Sequence, residues 1–247
     1  MKKLFALSVS GAMFLFVIAS SCNKDNNDSP PVVQPNTPTL STSLSGLGSH
    51  GGYPSGTPYV LPFHIKLIGS MYGGSPPGYS NYFGGTKNLK NIDEYQSSSP
   101  KINYNEYGIG TYVNVYMKLY NNSNSQYKLI VPGGLIMSDS THGDTSSTDT
   151  TQSGLVIVED TIHFPPYDTV GVCLKSFCLN LHHSVPYGNK YTFSVISNND
   201  QLYKMTSILR GKSSLEEHVS DIQSYIWKIT DGTGLTQEDI DIMTSWP

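Results

Sequence analysis

Charged residues are scarce in this sequence: they make up 14% of its 247 positions, and the formal net charge is −4. The lysines are scattered and form no basic stripe, so the sequence does not indicate a nucleic-acid partner. Only three cysteines and two tryptophans occur, whereas tyrosine is abundant, with 17 residues. This composition, rich also in glycine, asparagine and serine, is typical of an extracellular β-protein.

Long apolar runs are also missing, with one exception near the N-terminus. A basic start is followed by an apolar run over residues 4–19 and then by small residues before Cys22. This layout is typical of a secretory signal, and the run is too short for a membrane span. "Ala-Ser-Ser-Cys" resembles the lipobox of bacterial lipoproteins, which implies that residues 1–21 are a signal peptide and that Cys22 is lipidated. A plain secreted protein, cleaved nearby, is the alternative.

Residues 22–57 show no apolar period and are rich in proline, serine, threonine, glycine and asparagine. They predict a lipidated cysteine followed by a flexible linker. The acidic "NKDNND" after Cys22 resembles the surface-export signal of Bacteroidetes lipoproteins. This resemblance implies a lipid anchor in the outer membrane and exposure at the cell surface. The remaining residues, 58–247, have the length of one ordinary domain.

The first part of this domain carries strand signals. Apolar and polar residues alternate most clearly in "TYVNVYMKLY", 111–120, and Pro62 interrupts a first strand at 59–69, which predicts an edge. Residues 69–108 show no pattern that assigns elements, and 138–154 predict a flexible hairpin tip. Short strands with turn signals at this spacing predict an antiparallel immunoglobulin-like β-sandwich up to about residue 196.

The last fifty residues have helical periods instead. They predict three helices, near 200–211, 214–230 and 236–245, which form a small C-terminal helical cap. The expected N-terminal caps are Asp200 for the first helix, Ser213 with Glu216 for the second, and Thr236 with Asp239 for the third. The apolar stripe of the second helix is expected to face the sheet; it consists of Val219, Ile222, Ile226 and Ile229.

Cys173 and Cys178 lie in a segment that alternates as a strand does, "DTVGVCLKSFCLNL". Outside the cytoplasm a disulfide is the ordinary expectation for two such cysteines. In a continuous strand, however, residues five apart point to opposite faces and lie roughly 16 Å apart. A disulfide needs Cα atoms about 5.5–6 Å apart. The strand pattern therefore favours two free thiols.

Gln223 is an unusual residue on the second helix. It lies four residues from Val219 and four from Trp227, so the three share one strip beside the aliphatic stripe. A glutamine at the border of an apolar face is partly buried, and a buried carboxamide without a partner costs about 1–3 kcal/mol. The sequence therefore predicts a specific hydrogen-bond partner for Gln223.

Two short motifs point to that partner. "SFCLNL", 176–181, and "IQSYIW", 222–227, together resemble the motif pair of thioester domains in bacterial surface adhesins, over about residues 172–235. The resemblance implies that Cys178, preceded by Phe177, attacks the side-chain carbonyl of Gln223, and that ammonia leaves. A partner's amine would then displace the thiolate. Ile222 and Tyr225 stand where the family usually has threonine and alanine.

A thioester hydrolyses in water, so it needs apolar walls. Phe177, Tyr225 and Trp227 are the residues expected to shield it. Capture of this kind happens once per molecule, which implies an adhesin that binds a host or other extracellular protein or a glycan, and not an enzyme. The alternative is a buried Cys178 thiol beside a Gln223 that hydrogen-bonds the sheet without a covalent bond.

Other sites are weaker. His182 and His183 are neighbours that face opposite ways on a strand, and no metal-ligand spacing surrounds them, so neither a metal nor a cofactor is expected. No cysteine-protease signature surrounds Cys178. A non-covalent glycan- or protein-binding lipoprotein is the competing function, because exposed tyrosines such as those in "MYGGSPPGYSNYFGG" suit the capture of sugars.

Overall fold

The computed structural model describes residues 39–74, 103–140 and 151–247. Eleven strands and three α-helices are assigned there. The strands are β1 (Gly56–Pro58), β2 (Ile65–Leu67), β3 (Met71–Gly73), β4 (Tyr104–Tyr107), β5 (Val113–Asn121), β6 (Tyr127–Val131), β7 (Leu135–Asp139), β8 (Gly154–Leu155), β9 (Asp160–Phe164), β10 (Thr169–Cys178) and β11 (Lys190–Ser197). The helices are α1 (Asp200–Leu209), α2 (Val219–Asp231) and α3 (Gln237–Ser245).

Several expectations fall outside these ranges. The signal peptide expected at 1–21, the lipidated Cys22 and the first part of the linker, 22–38, lie outside the described residues. So do most of the segment without assigned elements, 75–102, and the centre of the hairpin tip, 141–150. Among the described residues, no helix is both long and apolar enough to cross a membrane.

The protein is mainly β, and nine of the described strands form one sheet. Their order is β2-β5-β3-β11-β7-β8-β10-β4, and β1 pairs with β11. Because β10 also pairs with β5, the pairings from β5 through β3, β11, β7 and β8 to β10 close into a ring. β6 and β9 form a separate two-stranded sheet. Of the pairs between the strands named here, only that of β4 with β10 is parallel.

Side chains of β5 and β10 alternate between the inside and the outside of the ring, and the inward ones fill it. Residues 113, 115, 117 and 119 of β5 are buried, and their neighbours are only half-buried. Val172, Leu174 and Cys178 of β10 point to the same interior, because side chains two positions apart share a face of a strand. The inward residues of the β6–β9 sheet, among them Leu129 and Phe164, complete this first core.

The helices cover a second core on the other face of β7, β8 and β10. Phe177 and Leu179 of the β10 segment face it, since they alternate with Cys178. Ile222, Ile226 and Ile229 of α2 are buried in it, and Val219 packs against it. The expected helical stripe is thereby confirmed, and so are the three helices.

The caps were predicted less well than the helices. α1 begins after Asn199, whose side chain accepts from Leu202 N, and not at Asp200. The box expected from Ser213 and Glu216 is wrong, because a 3-10 turn, Leu215–His218, leads directly into α2 without a side-chain cap. The box of Thr236 and Asp239 is confirmed, with both reciprocal hydrogen bonds formed.

Residues 39–58 are packed against the domain, although the whole span to residue 57 was expected to be a flexible linker. Ser41 N donates to Asn198 O at 2.9 Å, and Leu47 is buried in the second core. β1 pairs with β11 in antiparallel register. Most of these contacts use main-chain groups, which leave no apolar period in the sequence.

Two further expectations need correction. Thr151 and Gln152, which were expected in the flexible tip, are buried, and Gln152 N donates to Ser184 O at 2.9 Å. Of the first strand expected at 59–69, only β2 is formed. Among the strands that the structure describes, β2 pairs only with β5 and stands at the end of the strand order, so the edge position is confirmed.

Candidate functional site

Cys178 is the last residue of β10, and its side chain points into the first core. Cys173 lies on the same strand, and both residues are buried, free cysteines. The disulfide is therefore absent, as the strand geometry indicated. Phe177 and Cys178, the last two residues of β10, pair with β8. The chain then bends at Leu179, and the strand ends.

Gln223 is only 1% exposed, and its carboxamide lies against Cys178. The main-chain N–H of Cys178 donates to Gln223 Oε1 at 2.9 Å. Gln223 Nε2 in turn donates to the Cys178 carbonyl oxygen at 2.7 Å. The carboxamide therefore pairs with one residue of the strand as a neighbouring strand would. The expectation that Gln223 has a specific partner is confirmed, and the partner residue is Cys178. Both hydrogen bonds are made by the Cys178 main chain and not by its thiol.

The thiol of Cys178 has a different set of neighbours. Its Sγ lies 3.3 Å from the main-chain N of Asn180 and 3.4 Å from the Asn180 carbonyl oxygen. Burial raises the pKa of the Cys178 thiol, although a hydrogen bond from the Asn180 main chain and the nearby indole N–H of Trp227 act in the opposite direction. The indole nitrogen is buried and has no hydrogen-bond partner among the described residues. The negative charge of Asp231 adds to the rise. The thiol is therefore protonated at neutral pH.

Of the three expected shielding residues, only Trp227 lies beside the thiol. Trp227 packs against the first core, and its ring lies 6.0 Å from that of Tyr112 on the outside. Phe177 faces the second core, because adjacent strand residues point to opposite faces. Tyr225 also lies in the second core, 6.2 Å from the Trp246 ring. Phe177 and Tyr225 therefore pack in the second core beside β10 and α2, the elements that carry Cys178 and Gln223, and do not shield the thiol.

Three residues of this site were missed from the sequence: Gly48, Asn180 and Asp231. Asn180 Nδ2 donates to Gly48 O at 2.8 Å. Gly48 has a φ of +59°, and a Cβ there would lie 2.6 Å from Asp231 Oδ1, so the close approach requires glycine. Asn180 follows Cys178 by two positions, which was a usable signal, whereas nothing near Gly48 indicated a contact with residue 180.

The histidines and carboxylates do not form a metal centre in the parts of the chain that the structure describes, where no group of three potential ligands is found. His218 Nδ1 lies 3.4 Å from Asp221 Oδ2, and its ring stacks on Trp246. A groove of about 570 Å³ lies beside α1, away from Cys178, and is lined in part by Leu40, Tyr203 and Ile240.

Comparison of the chain with protein-family models, with curated proteins and with solved structures gave no significant match in any of the three.

Proposed function

We propose that this protein is a cell-surface lipoprotein that acts as an adhesin or binding module, and that Cys178 and Gln223 form an internal thioester that captures an amine of the partner. The observation that carries the proposal is the pairing of the Gln223 carboxamide with Cys178 through two hydrogen bonds. The two residues are 45 positions apart. An immunoglobulin-like grouping of the strands stays a prediction, and the proposal does not depend on it.

The proposed reaction starts from the position of the carboxamide beside the Cys178 main chain. The Cys178 sulfur attacks Cδ of Gln223, the C–N bond breaks, and the thiol proton leaves with the nitrogen as ammonia. The Cys178 N–H already donates to Oε1, so it stabilises the negative charge that this oxygen acquires during the attack. The hydrogen bond from Nε2 is lost with the ammonia, and the one to Oε1 is retained.

Burial of the two residues would protect the thioester from hydrolysis. Cys178 and Gln223 are almost completely buried, so water has little access to a bond between them. A partner's lysine amine would need Trp227 to move, because Trp227 packs against the core that contains the Cys178 thiol, on the side of Tyr112. The amine would then form an amide with the Gln223 side chain and release the Cys178 thiol. Each molecule reacts once, so the protein is not an enzyme.

Intact mass distinguishes this function. After allowance for signal cleavage and for the lipid on Cys22, the wild-type protein is expected to be lighter than its calculated mass by one ammonia and to take up methylamine. Cys178→Ala is expected to lose both properties. Cys173→Ala is the matched control, because Cys173 is a second buried, free cysteine on the same strand, and it should keep both. A wild-type protein without this loss of mass, in which Cys173 and Cys178 both titrate as thiols after denaturation, would reject the thioester.

A non-covalent binding module is the second candidate function. It is favoured by the same carboxamide, because both of its polar atoms are already satisfied by the Cys178 main chain. In this case Gln223 only attaches α2 to the end of β10, and the partner, a protein or a glycan, binds elsewhere. The full sequence mass would agree with this function and not with the first.

The membrane anchor is a separate part of the proposal. Acylation of Cys22 would hold the protein at the outer membrane with its domain at the cell surface. A clickable fatty-acid analogue should label the wild type in cells and leave Cys22→Ala unlabelled. Equal labelling of the two would show that the lipid, if any, is attached elsewhere, and would remove the support for the anchor.

A further inference from the structure

One outer face of the ring carries tyrosine and lysine side chains. The side chains of β2, β3, β4, β5, β10 and β11 alternate between the core and this face, and the registers of the pairs place the outward residues side by side. We refer to the outward tyrosines and charged residues as the tyrosine–lysine face: Lys66, Tyr72, Tyr104, Glu106, Tyr116, Lys118, Tyr120, Lys175 and Lys190.

One row of this face crosses five strands. Lys190 pairs with Tyr72, Tyr72 with Tyr116, Tyr116 with Cys173, and Cys173 with Glu106. At about 4.8 Å from strand to strand, the row is about 19 Å long. The ring of Tyr104 meets that of Tyr116 edge to face, with centroids 5.4 Å apart. Tyr104 and Tyr116 therefore form one aromatic contact on this face, and the register places Tyr72 and Tyr120 on strands beside it.

The charge of the face is opposite in sign to that of the whole chain. Four lysines and one glutamate belong to it, whereas the chain has a formal net charge of −4. Lys175 Nζ forms an ion pair with Glu106 Oε2 at 3.3 Å. Lys66 and Lys118 lie at other positions of the register, and neither forms an ion pair with Glu106. Such a local excess of positive charge attracts an anionic partner.

The tyrosines offer both rings and hydroxyl groups. Tyr72, Tyr104, Tyr116 and Tyr120 are half-buried, so part of each side chain is accessible. Burial is the main cause of the raised pKa of Tyr104 and Tyr116, and the Tyr116 hydroxyl lies beside the Cys173 thiol. Tyrosine combines a large apolar ring with a polar tip, which suits a partner that is itself both flat and hydroxylated.

An outward polar face is in itself ordinary in an antiparallel sheet, because it keeps one side of the sheet solvated. Four large aromatic rings are not needed for that purpose. Their arrangement in neighbouring rows, with ammonium groups around them, supplies apolar contact and anion pairing together. A sugar chain that carries carboxylates needs both of these contacts.

We propose that the tyrosine–lysine face binds an acidic polysaccharide, with the tyrosine rings against the sugar faces and the lysine ammonium groups at the carboxylates. This inference rests on the non-covalent binding role given above as the second candidate function, and it names the partner and the surface. It does not require a thioester, because the face lies outside the ring and Cys178 points inside.

Binding can be measured by calorimetry and by affinity electrophoresis on the purified protein. The probes are polygalacturonate, alginate and hyaluronate, with highly methyl-esterified pectin as a neutral counterpart of polygalacturonate. We expect binding to at least one of the three acidic chains. Binding should weaken as sodium chloride rises from about 0.05 to about 0.5 M, because salt screens exposed charges. Pectin should bind more weakly than polygalacturonate where the latter binds.

Two variants locate the surface. Lys118→Gln and Tyr72→Ala should each weaken binding by about fivefold or more. Lys128→Gln and Tyr203→Ala are the matched controls, since Lys128 lies on β6 and Tyr203 on α1, and both are exposed. They should bind as the wild type does. Thermal unfolding of each variant confirms that it is folded.

Three results would overturn the inference. They are no binding to any acidic chain, equal loss in the control variants, and preference for the neutral pectin. Preference for the neutral chain would still leave a non-covalent glycan-binding role standing. The intact mass of the same samples reports separately on the thioester, so failure of one proposal is distinguishable from failure of the other.

Discussion

The side-chain amide of Asn180 donates a 2.8 Å hydrogen bond to the carbonyl oxygen of Gly48, which lies 132 positions earlier in the chain. The other end of the same amide, Oδ1, accepts from Ser153 N at 2.9 Å. One buried side chain thus joins the N-terminal segment to the loop before β8, directly behind the Cys178 thiol. The N-terminal segment is therefore part of the wall of the candidate site.

Removal of residues 39–57 should destabilise the domain strongly. The truncation leaves the Asn180 amide without Gly48 and uncovers the second core where Leu47 is buried. Loss of one buried leucine side chain alone costs about 2–5 kcal/mol. We expect urea unfolding to show a loss of at least this size relative to a chain that starts at residue 39. Equal stability of the two chains would contradict the role of this segment.

Replacement of Gln223 by leucine should be costly although leucine suits an apolar helix face. The change leaves the N–H and the carbonyl group of Cys178 buried without partners. At about 1–3 kcal/mol for each of the two unsatisfied groups, the free energy of unfolding should fall by about 2–6 kcal/mol. Gln237→Leu, at an exposed position of α3, should change it by less than about 0.5 kcal/mol. If Gln223→Leu were more stable than the wild type, the two hydrogen bonds between the carboxamide and Cys178 would not stabilise the fold.

The ion pair between α2 and α3 predicts a pH dependence. Burial raises the pKa of Asp239, but hydrogen bonds from Lys228 and Thr236 outweigh it and lower the pKa below its usual value. A lowered folded-state pKa contributes stability above the unfolded-state value, about 3.9, and that contribution disappears as the pH falls through the folded-state value. The wild type should therefore be more stable than Asp239→Asn at pH 7, and the difference should shrink at pH 3 and below. A difference independent of pH would refute this assignment.

Tyr167 is a non-glycine residue in the left-handed region, with a φ of +51°. This conformation costs a residue with a Cβ about 1–2 kcal/mol, and asparagine tolerates it better. Tyr167 is 61% exposed, so its ring contributes little to packing. Tyr167→Asn should raise the free energy of unfolding by about 0.5–1 kcal/mol. Tyr187→Asn, a change at another exposed tyrosine, should not raise it.

The helical part of the fold was predictable because its signals are local. The stripe of α2 repeats at helical spacing, and the box of Thr236 with Asp239 needs only four consecutive residues. β3 and β4 were missed because strands of three or four residues are too short to show alternation. The packed residues 39–58 were missed because their contacts are made by main-chain groups, which every residue possesses.

The site was predictable at the level of residues and not of atoms. An amide beside an apolar stripe indicated that Gln223 has a partner, and the motif pair indicated Cys178. The sequence could not show that both hydrogen bonds go to the Cys178 main chain. It could not place Phe177 and Tyr225 either, because the face on which each side chain lies depends on where β10 and α2 meet.

The closed ring of pairings has a kinetic consequence. β11, which is formed by residues 190–197, is the strand that connects β3 with β7, so the circle cannot close before this late part of the chain is available. β5 and β10 are also brought together from distant positions. Folds dominated by such distant pairings pass a high entropic barrier and fold in about milliseconds to seconds, far more slowly than local helical folds. The ring thus makes folding a late and cooperative event, in which the unfinished chain stays open until almost all of it is present.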